Sequence, residues 1–381
     1  MIKSITLQNY RSFGAKQTIP LEPITVLVGP NNSGKSSFMS VGSLFRGIHE
    51  ASRGGVAGLF LRDLDLSNLL HRPPAADGSF LIEWETDQGS YGARLRRDAT
   101  GLQHVDEWLR HSKLGAAWAT VQAPRDGRLV PMLGSTVSRD TWQPSPFAGF
   151  YTTLGIRERE VTPFAEVLTP LARSREVKLS LGALRTDAPF ENQPVLGPDG
   201  SRMATVVSLW RSAHPERAEM LDATLQGSIP EIRHVLATPA PTGPMYRLWF
   251  RQKDGEMFDA FHVSDGVLLF TALAMQAIDA GPGSVIFLEE PEHSIHPTRL
   301  HDIVELLRRM VHEKGCQFVI ATHSPVLLSE FRDEPEAILL FRRGDEGTLV
   351  TRLSDVPRLV DALRKADPGE MLSSGFFNDP I

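Results

Sequence analysis

The chain has 381 residues, 41% of them hydrophobic and 23% charged, with 40 Lys and Arg against 46 Asp and Glu for a formal net charge of −6. These values fit a globular chain with room for two domains, or for one large domain with an inserted lobe. They exclude a wholly basic coat for nucleic acid, though not local basic grooves. The one cysteine, Cys316, excludes an intramolecular disulfide and a cysteine-built metal site.

The N-terminus has no apolar signal core, and no run approaches the roughly 18 apolar residues that span a membrane. A soluble, cytoplasmic protein with no membrane partner is expected. Ile2, Ile5 and Leu7 alternate with polar residues, as in a half-buried strand. Pro23 to Gly29 is a β-branched run that reads as a buried strand, and Phe38, Val41, Leu44 and Phe45 follow at helical spacing from Ser36. Two strands around Gln88-Gly89-Ser90 follow from Ser79, and residues 100–175 carry little periodic signal. Glu176 to Arg185 reads as a strand, Asn192 to Met203 as a loop with Pro198-Asp199-Gly200 as turn chemistry, and the segment from Met203 as two helices broken near His214-Pro215. Met245 to Val263 is a hairpin with Lys253-Asp254-Gly255 at its tip.

The last third alternates a helix stopped by Gly281, an apolar strand from Ser284, an amphipathic helix between Pro297 and Gly315, and an apolar strand from Cys316. Apolar strands alternating with helices predict an α/β fold whose sheet has parallel core strands covered on both faces. The expected organisation is 1–99 as the N-terminal part of one main domain, 100–175 as an inserted α+β lobe, and 176–381 as the C-terminal part of that domain. No internal repeat, heptad run or low-complexity tract interrupts this pattern.

Three local patterns carry chemistry. Gly29-Pro30-Asn31-Asn32-Ser33-Gly34-Lys35-Ser36, followed by Ser37, satisfies G-x-x-x-x-G-K-[ST] between a strand and a helix. The glycines let successive backbone N–H groups face one anion, Lys35 is placed to reach the β- and γ-phosphates of ATP, and the Ser36 hydroxyl is a Mg²⁺ ligand. Glu289 and Glu290 leave the end of a buried strand, where a phosphate loop needs a carboxylate for Mg²⁺. Side chains alternate there, so Glu289 is expected to hold Mg²⁺ through water and Glu290 to polarise the attacking water. His323, between Thr322 and Ser324 at the end of a second buried strand, is a candidate sensor of the γ-phosphate. Ser264-Asp265-Gly266 opens a helix and forms another anion-ready site.

In their chain order, "GPNNSGKSS", "VSDG", "FLEEPEHSIHP" and "ATHS" resemble the motifs of ABC-type ATPases of the RecF/SMC/OLD group, with the OLD-like branch of bacterial AAA-family ATPases as the nearest likeness. "ITLQNYRSFG", "LGALRTDAPF" and "GEMLSSGFF" extend it to both ends of the chain. The resemblance implies an ABC-type P-loop ATPase head and ATP with Mg²⁺ as ligands. It places Arg11 near the nucleotide. It also implies a homodimer in which two ATP molecules lie between the phosphate loop of one copy and the Ser264–Gly266 signature of the other. His296 stands where many such proteins carry an Asp, and "LRDLDLSNLLH" lies where a glutamine-bearing loop is expected but holds no glutamine.

The implied function is a nucleotide-gated switch in DNA-directed defence or repair. Its effector, such as the HNH nuclease that partners PtuA-like ATPases, is expected to be a separate chain, since no Toprim pattern follows "THS". DNA is a candidate ligand. A RecF-like loader, a transporter's nucleotide-binding subunit and an ATP-gated scaffold are the alternatives. The degenerate signature and the missing glutamine argue against the transporter, and intact Lys35 and Glu290 argue against the scaffold.

Overall fold

The computed structural model describes residues 1–45, 70–72, 78–98, 101–112, 119–122, 130–133, 167, 169–170, 173–241, 243–293 and 295–378. Most of 100–175, and the glutamine-less "LRDLDLSNLLH" segment up to residue 69, lie outside them.

The strands in chain order are β1 (Ile2–Gln8), β2 (Gln17–Pro20), β3 (Ile24–Val28), β4 (Ser79–Thr86), β5 (Gly89–Asp98), β6 (Gly101–His111), β7 (Ala119–Gln122), β8 (Val130–Leu133), β9 (Ser174–Val177), β10 (Ala188–Pro189), β11 (Ile232–Pro239), β12 (Met245–Gln252), β13 (Met257–Asp259), β14 (Val285–Glu289), β15 (Gln317–Ala321), β16 (Ile338–Gly344) and β17 (Gly347–Arg352). Among the helices are α1 (Lys35–Met39), α2 (Leu181–Leu184), α3 (Met203–Ala213), α4 (Pro215–Ser228), α5 (Asp265–Asp279), α6 (Leu300–Lys314) and α7 (Pro325–Ser329).

The central sheet has the order β17-β16-β3-β15-β14-β9. Its strands are parallel except β17, which returns antiparallel from β16. β3, β15 and β14 carry Val, Ile, Leu and Phe in succession because both faces are covered. Val26, Val28, Ile286, Leu288, Phe318 and Ile320 face the core built with α3 to α6, while Leu27, Phe287, Val319 and Phe341 face a second core under β1, β4 and β5. That second core is roofed by the antiparallel sheet β2-β1-β4-β5-β6-β7-β8. Gln317, almost fully buried, ties the two sheets: its side chain accepts from Ile2 N at 2.9 Å and donates to the carbonyls of Ile2 at 2.8 Å and Glu22 at 3.0 Å.

The helices broken at His214 are α3 and α4, with Pro215 opening the second. The hairpin from Met245 is β12 and β13. It belongs to a third sheet, β10-β12-β11, in which β11 escaped the sequence reading because its polar residues conceal the alternation. His234 and Val235 N on that strand bind the Asp222 carboxylate of α4.

The strand expected from Glu176 is corrected. β9 begins at Ser174 and ends at Val177, and the next residues form the short helix α2. Beyond Val177 the backbone N–H groups turn from the sheet to a loop: Lys178 N donates to Pro198 O and Ser180 N to Asp199 O, each at 3.0 Å. Leu184 then enters the core from a helical turn rather than from an extended chain.

Candidate nucleotide site

The phosphate loop leaves β3 and runs into α1. Gly29 (φ 152°) and Gly34 (φ 106°) both adopt backbone angles that side chains disfavour. A Cβ on Gly29 would lie 2.1 Å from Phe341 O on neighbouring β16, so the loop turns where no side chain fits. Asn32 is also left-handed, at φ 63°. Ser33 Oγ is buried without a hydrogen-bond partner, whereas Asn31, Asn32 and Ser36 are exposed. The Lys35 ammonium folds back on the loop, donating to Gly29 O at 2.7 Å and Pro30 O at 3.1 Å. Burial lowers its pKa, and the charges of Glu290 and Glu289 act in the opposite sense.

Glu289 is the last residue of β14. Its Oε1 accepts from Ser36 Oγ at 2.8 Å, which joins the two residues expected at the Mg²⁺ position across 253 residues of sequence. Its Oε2 accepts from Lys178 Nζ at 2.7 Å, a partner the sequence reading did not find. Burial pushes the Glu289 carboxyl upward, but the hydrogen bonds from Lys178 and Ser36, with the charges of Lys178 and Lys35, hold it below its ordinary value.

Glu290 leaves the strand in a left-handed conformation, φ 46°, while its N–H still reaches Ala321 O at 2.8 Å. The turn gives its carboxylate a different direction from that of Glu289. His323 Nε2 lies 3.8 Å from Glu290 Oε1, and His293 Nε2 lies 3.1 Å from Oε2. Partial burial lowers the His323 pKa and the Lys35 charge adds to this, against the pull of Glu290 and Glu292. Glu292, also missed from sequence, fixes the His323 turn: its Oε1 accepts from Thr322 Oγ1 at 2.7 Å, His323 N at 2.8 Å and Ser324 N at 3.1 Å.

Arg11 sits in the turn after β1 at φ 48°. Tyr10 and Phe13 on either side of it are fully buried, and Tyr10 Oη lies 2.8 Å from Ser40 Oγ just past α1. Arg11, Asn32, Ser37, His71 and Arg343 line a cavity of ≈ 350 Å³ beside the phosphate loop. Arg11 Nε is buried without a partner. Thr348 on β17 lies 2.8 Å from Ser12 Oγ and 2.9 Å from Ser33 O, so the β16–β17 hairpin pins this turn to the loop.

Ser264 and Gly266 are not brought to this assembly by any hydrogen bond or ion pair among the described residues. They open α5 where the Arg185 guanidinium bonds Asp265, with Ser264 exposed.

The donor set suits ATP with Mg²⁺. A hydroxyl and a carboxylate oxygen 2.8 Å apart are hard ligands of the kind Mg²⁺ takes, an ammonium lies in the loop, and Ser33 Oγ and Arg11 Nε are orphaned polar atoms beside it.

A family profile described as "AAA domain, putative AbiEii toxin, Type IV TA system" matches residues 156–329, and one described as "AAA ATPase domain" matches residues 1–46. No curated protein matches the chain. Among solved structures, an Smc head bound to the C-winged helix domain of ScpA aligns with TM-score 0.54 at 15% identity, covering 92% of this chain and 96% of that one. An Smc head with an extended coiled coil, bound to the C-terminal domain of ScpA derived from Pyrococcus furiosus, aligns at 0.53 and 14% identity, covering 95% and 99%. The chain has the fold of an SMC head. This is the ABC-type P-loop architecture, a mixed sheet with parallel core strands flanked by helices. With the two profile matches it supports an ATPase of that type.

Proposed function

We propose that the chain binds and hydrolyses ATP as a nucleotide-gated dimer switch. The observation that carries the reading is the convergence of Lys35, Ser36, Glu289, Glu290 and His323 at the C-terminal ends of the adjacent parallel strands β3, β14 and β15, the edge where open α/β sheets bind ligands.

In this reading Gly29, Asn31, Asn32, Ser33, Gly34 and Ser37 supply the anion cradle. Lys35 exchanges its loop carbonyls for the β- and γ-phosphates, and Arg11 serves the nucleotide from the adjoining cavity. Ser36, and Glu289 through water, would hold Mg²⁺, and the metal would supply positive charge against the phosphates. Glu290 orients and deprotonates the attacking water. His323 contacts the γ-phosphate and, through its proximity to Glu290, reports its loss. Ser264 and Gly266 of a second copy close the sandwich. This accounts for the exposure of Ser264 at the start of a helix and for the absence, among the described residues, of a hydrogen bond or ion pair joining the pair to the phosphate loop of their own chain.

We assign 1–99 and 176–381 to the head, with 100–175 as an inserted lobe whose β6–β8 extend the head's antiparallel sheet and whose last two residues open β9. We read the switch as a device of DNA-directed defence or repair that acts on a separate effector such as a nuclease. The defence setting draws on the toxin-system description of the family profile over 156–329. Action through a partner protein draws on the ScpA-bound state of the Smc heads.

The test is phosphate release from Mg²⁺-ATP together with light scattering. Lys35→Ala is expected to abolish turnover, and Glu290→Gln is expected to stop hydrolysis while doubling the mass in ATP. Wild-type turnover in Lys35→Ala overturns the loop assignment, and an unchanged Glu290→Gln mass overturns the sandwich.

A further inference from the structure

The phosphate loop, the strand-end carboxylates and the histidine turn account for most of the polar groups at this edge of the sheet, but not for Lys178. It follows β9, whose Val177 pairs in parallel register with Leu288 of β14, so the backbone sets Lys178 beside Glu289. Its ammonium lies 2.7 Å from Glu289 Oε2, and the two side chains differ sharply in exposure, 74% for Lys178 and 13% for Glu289. The carboxylate is thus held in place and half desolvated, while the cation reaches it from solvent on a long arm.

A half-buried carboxylate without a counter-charge is costly. The need is greater here because Glu176 and Glu290 stand close enough for their charges to act on the same ammonium. Lys178 therefore supplies, from within the chain, the positive charge that Mg²⁺ supplies in the loaded site. A largely exposed lysine gains little from such a pair and can leave it at small cost. Mg²⁺ and the Lys178 ammonium both favour the Glu289 carboxylate; Lys178 holds Oε2, and Ser36 is already bonded to Oε1.

We propose that Lys178 is a displaceable stand-in for the metal: it holds Glu289 in its binding geometry before nucleotide arrives and is driven off by Mg²⁺, so that it sets the Mg²⁺ concentration at which the site loads. The inference rests on the nucleotide-site reading above and adds a positioning residue to it.

The experiment reads loading rather than turnover. Binding of a fluorescent ATP analogue to the full chain is followed while free Mg²⁺ is titrated, for wild type, Lys178→Met and Lys178→Arg. Removing the competing cation is expected to lower the half-loading Mg²⁺ concentration about two- to fivefold, the range set by a partly exposed ion pair. Lys178→Arg keeps the cation and is expected to stay at the wild-type midpoint. An equal or higher midpoint in Lys178→Met overturns the inference while leaving the nucleotide site standing. Absence of analogue binding by wild type at any Mg²⁺ level overturns both. Thermal melts confirm that each variant folds, and Lys178→Gln replaces Lys178→Met in the titration if the latter melts early.

Discussion

Gly29→Ala tests how closely the phosphate loop is built into the sheet. Two costs add. The backbone at φ 152° lies where a residue with a Cβ is strained by about 1–3 kcal/mol. The new methyl would also sit 2.1 Å from Phe341 O, a backbone atom of β16 fixed by its pairing with β3, and overpacking of this kind adds about 1–3 kcal/mol. The sum, about 2–6 kcal/mol, is comparable to the whole stability of a marginal domain. Gly315→Ala is the control. It also has a left-handed backbone, φ 63°, but nothing lies within 4 Å of its Cβ, so only the conformational cost of about 1–2 kcal/mol applies. Urea unfolding of both variants, with binding of a fluorescent ATP analogue, separates the terms. Gly29→Ala is expected to be the less stable by at least about 1 kcal/mol and to lose nucleotide binding, while Gly315→Ala keeps it. Equal destabilisation of the two variants with intact binding in Gly29→Ala would refute the steric argument.

Gln317→Leu is expected to cost about 1–3 kcal/mol of unfolding free energy, because Ile2 N and the carbonyls of Ile2 and Glu22 lose a buried partner. A urea midpoint unchanged from wild type would show that this tie between the sheets is dispensable. His301, bonded to Glu330 Oε2 at 2.8 Å, has its pKa raised by that hydrogen bond and by the carboxylate's charge. A raised folded-state value stabilises fully below the ordinary histidine value of 6.5 and is lost as pH rises through the folded value. His301→Asn is therefore expected to be less stable than wild type between about pH 5 and 6.5, by less than about 1 kcal/mol for so exposed a pair, with the difference vanishing at higher pH. A gap that widens with pH contradicts the linkage. Glu292→Gln keeps the shape but weakens the charge-assisted bonds to 322–324, and ATP turnover is expected to fall about tenfold with a modest loss of stability. Unaltered turnover would detach this carboxylate from the histidine turn's role.

The central strands and the loops at their ends were legible because each is local: an apolar run ending in Gly29, Glu289 or Thr322 announces a buried strand and its exit within ten residues. The Ser36–Glu289 pairing followed from combining two such patterns. What stayed hidden depends on register between distant segments. Lys178 meets Glu289 only because Val177 pairs with Leu288, and Thr348 meets the phosphate loop only because the β16–β17 hairpin lies beside β3. The strand expected from Glu176 also concealed Lys178, since a continuing strand would have carried it past the sheet edge. The trans placement of Ser264 concerns a second chain and was inferred from the family resemblance alone.

The site divides into two bodies. The exits of β14 and β15 form one, because Glu290 N reaches Ala321 O and a single Glu292 oxygen gathers three donors from 322–324. Glu290 and His323 are therefore held in one unit, so in the proposed function a displacement felt at the histidine would reach the carboxylate assigned to activate water. The phosphate loop forms the other body, tied through Thr348 to Ser12 and the Arg11 turn. The two meet at the Ser36–Glu289 hydrogen bond and, beneath it, at the Phe38–Phe287 ring contact with centroids 6.3 Å apart. The ring contact is apolar and buried, so it resists separation but senses nothing about nucleotide. The Ser36–Glu289 contact is polar, and both its atoms are ones Mg²⁺ would claim. In the proposed function, loading therefore acts on a polar junction between the β14–β15 exits and the phosphate loop. In the proposed function, Lys178 is the cation that sits on Glu289 at this junction until the metal displaces it.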